Sequence, residues 1–120
     1  MAVRAIRGAI QVDVNERDAI VESATEMISA VMDRNGLQPD DVISALFTAT
    51  PDLTAEFPAY AARLLGFTDV PLMCATEIDV PGAMPRVLRV LVHVETELRR
   101  SEIRHAYLRG AAGLRRDLPT

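Results

Sequence analysis

Arg7 and Arg89 lie within mostly apolar segments whose composition is that of buried β-strands. Arg7 lies within residues 3–12 (VRAIRGAIQV), and Arg89 lies within residues 87–92 (VLRVLV). A guanidinium keeps its charge in proteins, and burying it without a partner costs several kcal/mol. We therefore expect an anion beside each arginine. The acidic segment 76–79, which lies between these strands in the sequence, is expected to help organise a pocket for a small anion.

The composition indicates one compact domain over residues 1–120, because 49% of the residues are hydrophobic. A net charge of −4, a pI near 5.1 and few aromatic residues argue against nucleic acid as a partner. No apolar run is long enough to span a membrane, and the start of the chain lacks the features of a signal peptide. A single cysteine fits a cytoplasmic protein. All thirteen basic residues are arginine, so position is more informative than residue type.

Hydrophobic periodicity and turn residues predict an α+β fold with a mixed sheet and one long helix on one face. Asn15 is the expected N-cap of that helix, and Gly36 follows its end. One helix covers one face, so we expect sheets of neighbouring subunits to associate. Residues 110–120 are predicted to be a mobile tail. Strands are predicted at residues 2–12, 42–49, 70–75, 87–94 and 103–108, and helices at 16–34 and 58–65.

Several residues allow both a structural and a functional interpretation. Arg89 is either a ligand contact or one half of a salt bridge, and Glu77 is either a binding group or a solvated loop carboxylate. Cys74 has the character of a small buried residue, and strand alternation places it on the face opposite Glu77. His93 and His105 lack the close spacing of zinc ligands, so no metal site is expected.

The whole chain resembles the small trimeric chorismate mutases, a class distinct from the all-helical one. The matching segments occur in order and at nearly constant spacing. They are residues 3–9, 48–59, 62–63, 70–82, 85–91, 103–108, 114–115 and 117–118. The resemblance implies a homotrimer with a barrel-like centre and active sites between subunits. It also implies the rearrangement of chorismate to prephenate on the route to phenylalanine and tyrosine, without cofactor or metal.

The resemblance also implies a role for individual residues. Arg7 and Tyr107 would bind the enolpyruvyl carboxylate, and Arg89 would face the ether oxygen. Glu77 would accept a hydrogen bond from the ring hydroxyl, and Cys74 would be a neighbouring contact. The walls and the closing tail would be formed by Phe57, Ala59, Arg63, Met73, Ala75, Thr76, Leu114 and Arg115.

The chemical requirements of this rearrangement are consistent with these residue roles. A flexible dianion must be folded into a reactive pose, and the charge that develops on its ether oxygen must meet a fixed positive donor. Two alternatives remain open at this point. One is a trimeric enamine/imine deaminase with an arginine that binds a carboxylate. The other is a non-catalytic module that binds a metabolite of the aromatic pathway.

Overall fold

A computed structural model describes residues 1–114 of the chain. Its helices and strands largely follow the predicted order. The strands are β1 (Ala2–Gln11), β2 (Val42–Ala49), β3 (Leu72–Thr76), β4 (Val87–Thr96) and β5 (Ala106–Leu108). The α-helices are α1 (Arg17–Arg34) and α2 (Ala59–Leu64), and 3-10 turns occupy Pro39–Asp41, Arg100–Glu102 and Arg109–Leu114. The prediction of an α+β fold is confirmed.

The five strands of the described chain form one mixed sheet in the order β3-β2-β4-β1-β5. β4 is central and pairs antiparallel with both β1 and β2. The edge strands are short, and each runs parallel to its neighbour: β3 beside β2, and β5 beside β1. Segments that are distant in sequence are thereby brought side by side across the sheet.

One face of the sheet packs against α1 and forms the main hydrophobic core. Ile6 and Ile10 of β1 pack there with Val92 of β4 and with Met27 and Ile28 of the helix. All five side chains are essentially inaccessible to solvent, so their burial is a major stabilising contribution. Among residues 1–114 the opposite face has no covering helix, which agrees with the prediction that one helix covers one face; only the 3-10 turn Arg109–Leu114 packs there, against Ala9 and Tyr107 at the β5 side.

Gly8 allows α1 to lie very close to the sheet next to Arg7. A Cβ built on Gly8 would come within 2.9 Å of a methyl group of Val31 and 3.0 Å of one of Val90. Real Cβ atoms almost never approach so closely, so any larger residue would push the helix and β1 apart. The glycine beside Arg7 therefore has a packing role.

The predicted N-cap of α1 is wrong. The cap position is occupied by Glu16, without a side-chain hydrogen bond, and Asn15 precedes it. The side-chain oxygen Oδ1 of Asn15 accepts hydrogen bonds from the backbone N–H groups of Thr54 and Ala55, at 2.9 and 3.1 Å. Asn15 therefore joins the start of the helix to a loop distant in sequence, a contact that local capping rules do not consider.

The predicted helix ends are confirmed, and the C-terminal strand is shorter than predicted. Gly36 and Gly66 follow α1 and α2 with positive φ angles of 62° and 98°, the left-handed geometry that glycine adopts without strain. Within residues 103–108, only Ala106–Leu108 form a strand. Of the predicted tail 110–120, residues 110–114 belong to a 3-10 turn, and the remainder lies outside the described residues. No helix within residues 1–114 has the length and apolarity needed to cross a membrane.

Candidate active site

The uncovered face of the sheet brings three of the predicted site residues together. Strand register places Ala75, Thr48, Arg89, Ala9 and Tyr107 in one row across all five strands. In the adjacent row, Arg7 of β1 pairs with Leu91 of β4. Arg7, Arg89 and Tyr107 line a common cavity of about 270 Å³. The small side chain of Ala9 lies between Arg89 and Tyr107 in the row and is buried against Tyr107 and Ala111.

Glu77 reaches this row from the segment that follows β3. Its backbone N–H donates to the Ala49 carbonyl at 2.9 Å, which extends the pairing of β3 with β2 by one residue. Its Oε2 accepts a hydrogen bond from the Thr48 hydroxyl at 2.6 Å and one from Arg89 Nε at 3.0 Å. The predicted association of the acidic segment with a strand arginine is thus observed for Glu77 and Arg89.

Neither arginine lies inside the core, which corrects the initial expectation of burial. The Arg89 side chain is 44% exposed, and that of Glu77 is 17% exposed. Arg7 is half-buried, and among residues 1–114 no side chain forms an ion pair or hydrogen bond with its guanidinium. Alternation within the strands explains the difference, because both arginines point to the face that α1 does not cover. The free-energy cost of burying an unpaired guanidinium therefore does not arise in a single chain.

The position of Arg89 depends on how β4 begins. Arg86 adopts a left-handed conformation with a φ of 53°, and its backbone N–H donates to the Asp52 carboxylate at 3.0 Å. The Val12 N–H donates to the Arg86 carbonyl, and Arg86 Nε donates to the Val12 carbonyl. These contacts fix the entry into β4 three residues before Arg89.

A second group of predicted site residues lies at the β3 edge of the sheet. Phe57, Ala59, Arg63 and Cys74 line a cavity of about 320 Å³. A neighbouring cavity of about 420 Å³ is lined by residues that include Phe57, Cys74, Ala75 and Thr76. Cys74 is half-buried and packs against the main core, on the face opposite the one where Glu77 meets Arg89, as strand alternation predicted. Within one chain, neither of these two cavities includes Arg7, Arg89 or Tyr107.

Phe57 is exposed, but the backbone that presents it is well anchored. Its N–H donates to a carboxylate oxygen of Glu56 at 2.8 Å, and the other oxygen accepts from Arg17 Nε at 2.8 Å. The hydrogen bond from Phe57, followed by the contact with Arg17, lowers the pKa of Glu56. The Arg17 guanidinium also lies 5.1 Å from the centre of the Tyr60 ring. The loop before α2 is thereby tied to the start of α1.

The last two predicted residues lie at the end of the chain. Leu114 is half-buried and packs against the small cluster of Ala9, Tyr107 and Ala111. It therefore lies beside Tyr107 on the uncovered side of the sheet. Arg115 lies outside the described residues.

Neither the contact of Thr48 with Glu77 nor that of His105 with β1 was predicted from the sequence. Thr48 contacts Glu77 as described, and His105 Nδ1 accepts a hydrogen bond from the Arg7 backbone N–H at 3.0 Å. The available signal for Thr48 was that it and Ser44 are the two polar side chains of an otherwise apolar strand. The contact of His105 with β1 spans 98 residues and left no local signal.

The arrangement can bind a small anion and stabilise negative charge. The Arg7 and Arg89 guanidiniums provide donors to one cavity, the Tyr107 hydroxyl can add a further one, and Glu77 is an acceptor at its edge. A fixed guanidinium with donors directed at a reacting oxygen stabilises negative charge that forms there.

Comparisons with known proteins agree on one family. The model for chorismate mutase type I matches residues 3–118. Chorismate mutase AroH of Thermus thermophilus is 44% identical over 117 residues, which cover 97% of this chain and 96% of that protein. The AroH of Bacillus subtilis (strain 168) is 39% identical over 119 residues, covering 98% and 94%. A solved chorismate mutase from Clostridium thermocellum superposes with a TM-score of 0.90 at 46% identity, covering 92% of this chain and 98% of that one.

Proposed function

This chain belongs to the chorismate mutase type I family, and on that premise we propose that the cluster of Arg7, Glu77, Arg89 and Tyr107 catalyses the rearrangement of chorismate to prephenate. The chain is an isomerase of aromatic amino acid biosynthesis. The observation that supports this site best is the Glu77–Arg89 pair, which lies at the edge of the cavity that also contains Arg7 and Tyr107.

The reaction requires no covalent bond between the substrate and the protein. Within a single substrate molecule the ether C–O bond breaks while a new C–C bond forms, so no atom is transferred to or from the enzyme. Arg7 and Tyr107 bind the enolpyruvyl carboxylate and bring the two carbon atoms together, which is an orientation effect. Glu77 accepts a hydrogen bond from the ring hydroxyl and orients the other end of the molecule.

Arg89 has the main electrostatic role. Its Nε already binds Glu77, and the two terminal amino groups of the guanidinium remain to donate to the ether oxygen. That oxygen gains negative charge as its bond breaks, so hydrogen bonds from a cation become stronger in the transition state than in the substrate. Loss of one such donor typically costs about 3–4 kcal/mol of transition-state stabilisation.

We propose that the active form is a homotrimer in which each cleft combines two subunits. The Arg7, Arg89 and Tyr107 group would come from one chain, and the Phe57, Arg63 and Cys74 group would come from its neighbour. Two features support this assembly: the two groups line different cavities of one chain, and large apolar side chains are exposed near both of them. Val3, Met73 and Phe57 are 60%, 69% and 70% exposed. Exposed apolar side chains of this size are frequent at interfaces between subunits.

The cleft would also receive Ala59, Ala75, Thr76 and Leu114 as wall residues, and Arg115 as part of the closing tail. The substrate is a small dianion, and the proposed chemistry uses no cofactor. A cytoplasmic location is proposed as well, in keeping with the single cysteine of the chain.

The direct test is a spectrophotometric assay of the purified protein with chorismate as the sole addition. We expect the ultraviolet absorbance of chorismate to decline and prephenate to accumulate in equal amount. Stable absorbance in the presence of correctly assembled protein would contradict the proposal. Binding of chorismate without turnover would instead favour the non-catalytic module.

A further inference from the structure

Thr48 contacts the proposed catalytic pair from the middle of the sheet. Its side chain lies in the row between Ala75 of β3 and Arg89 of β4. Its hydroxyl donates to Glu77 Oε2 at 2.6 Å, a short distance that is typical of a hydrogen bond to an ionised group. Thr48 is β-branched, and its χ1 angle is restricted on a strand, so this donor has a fixed position.

The two carboxylate oxygens of Glu77 differ in their hydrogen bonds and therefore have different roles. Oε2 accepts from both Thr48 and Arg89 Nε, whereas Oε1 has no donor among residues 1–114. Oε1 is therefore the oxygen available to a ligand hydroxyl. The same geometry confines Glu77 to the Nε edge of Arg89 and leaves the terminal amino groups of Arg89 for the ether oxygen.

Without the Thr48 hydroxyl, the Glu77 carboxylate would be free to pair with Arg89 in a different geometry. A carboxylate and a guanidinium preferentially form a two-bond, side-by-side pair, and such a pair can use the terminal amino groups of the arginine. Glu77 in that arrangement would occupy donors that the transition state needs. The backbone of Glu77 is fixed through Ala49, but its side chain retains rotational freedom that the Thr48 hydroxyl restricts.

We infer that Thr48 is a positioning residue of the mutase reaction, which acts by holding Glu77 so that the terminal donors of Arg89 face the substrate. This inference rests on the proposed function. Thr48 lines the same cavity as Arg89, but its hydroxyl donates to Glu77. Its contribution reaches the substrate through Glu77 and Arg89.

The test compares Thr48→Val, which removes the hydroxyl at nearly constant volume, with Thr48→Ser, which keeps it. Because the lost hydrogen bond is made to a charged group, we expect Thr48→Val to lower kcat by about 10- to 100-fold and to change KM by less than about threefold. Thr48→Ser should recover most of the lost kcat. Thr25→Val is the matched control, since within the described part of the chain its hydroxyl bonds only the Val21 carbonyl of α1, and its kcat should equal that of the unsubstituted protein. Should Thr48→Val fail to fold, Thr48→Ala removes the same hydroxyl without added bulk.

A double-mutant cycle establishes whether the effect passes through Glu77. In a Glu77→Ala background, Thr48→Val should cause little further loss of kcat, because its partner is already absent. The inference is overturned if Thr48→Val has normal kcat, or if it causes the same loss with and without Glu77. An unsubstituted protein that does not convert chorismate would overturn the proposed function together with this inference. An active protein that is insensitive to Thr48→Val overturns the inference alone.

Discussion

At the scale of single residues, Arg89 illustrates why arginine and lysine are not equivalent in this protein. The guanidinium has five N–H donors on a rigid plane, so one edge can bind Glu77 while the other faces a ligand. An ammonium group is a single point at the end of a flexible stem. It cannot occupy both positions at once.

We therefore predict that Arg89→Lys lowers kcat by at least about 100-fold, in line with the loss of a preorganised donor. Thermal stability should change little, because the Arg89 side chain is 44% exposed and an exposed ion pair contributes about 0–1 kcal/mol. Steady-state kinetics and thermal unfolding measure the two effects separately. Arg99→Lys is a suitable control, since Arg99 is highly exposed, pairs with Glu102 and does not line the cavity of Arg7, Arg89 and Tyr107. Normal turnover by Arg89→Lys would exclude Arg89 from the chemistry.

Glu77 provides a graded test of the same cluster. Glu77→Gln keeps an oxygen that can accept from a hydroxyl, whereas Glu77→Ala removes every acceptor of the side chain. We expect kcat/KM for chorismate to fall moderately with glutamine and further with alanine. Equal values for both variants and the unsubstituted protein would contradict the role of Glu77.

At the scale of elements, β5 is the weakest part of the sheet near the site. It has three residues and pairs only with β1 within the described chain. Two side chains hold in place the segment that leads into β5. Asn35 exchanges hydrogen bonds with the backbone N–H and carbonyl of Arg104, both at 2.8 Å, and His105 Nδ1 accepts from the Arg7 N–H. These contacts hold Tyr107 on β5 beside Arg7 on β1.

The position of the acceptor atom leads to a prediction for His105. Asparagine has an oxygen at about the reach of Nδ1, whereas glutamine places its oxygen farther from the backbone. We expect His105→Gln to lower the free energy of unfolding by about 0.5–1.5 kcal/mol more than His105→Asn, the usual contribution of one hydrogen bond. Urea denaturation measures the difference. Equal stability of the two variants would show that this bond contributes nothing.

At the scale of the whole molecule, the fold leaves one face of the sheet exposed, and that face contains the proposed catalytic cluster. A single chain thus has binding groups in separate cavities. In the proposed trimer, association of sheets would cover the apolar surface and bring the second group toward the first, so assembly and activity are expected to depend on each other.

We predict that Val3→Asp, which adds a charge to the exposed end of β1, weakens the trimer. Its kcat/KM should fall at low protein concentration and recover as the concentration rises, because mass action restores the assembly. Sedimentation velocity and activity measured over the same concentration range test this expectation. Val14→Asp adds the same charge at an exposed position before α1 and serves as the control. Full activity from a monomeric Val3→Asp protein would contradict a shared active site.

The sequence by itself determined the order of the elements and where the two α-helices end. Alternating apolar residues predict the strands, a 3.6-residue period predicts α1, and Gly36 and Gly66 have the left-handed backbone expected after a helix. These are local properties, because they depend on residues a few positions apart. The resemblance to a known family extended this reading to the site, since Arg7, Glu77, Arg89 and Tyr107 belong to recognisable segments.

Only the tertiary structure determined which side chains meet. Asn15 bonds a loop instead of capping its own helix, and both strand arginines face away from the core. Thr48, Glu77 and Arg89 come together because a parallel and an antiparallel pairing place three distant segments in one row. Strand register depends on the packing of the entire sheet against α1, so no single segment of the sequence contains it.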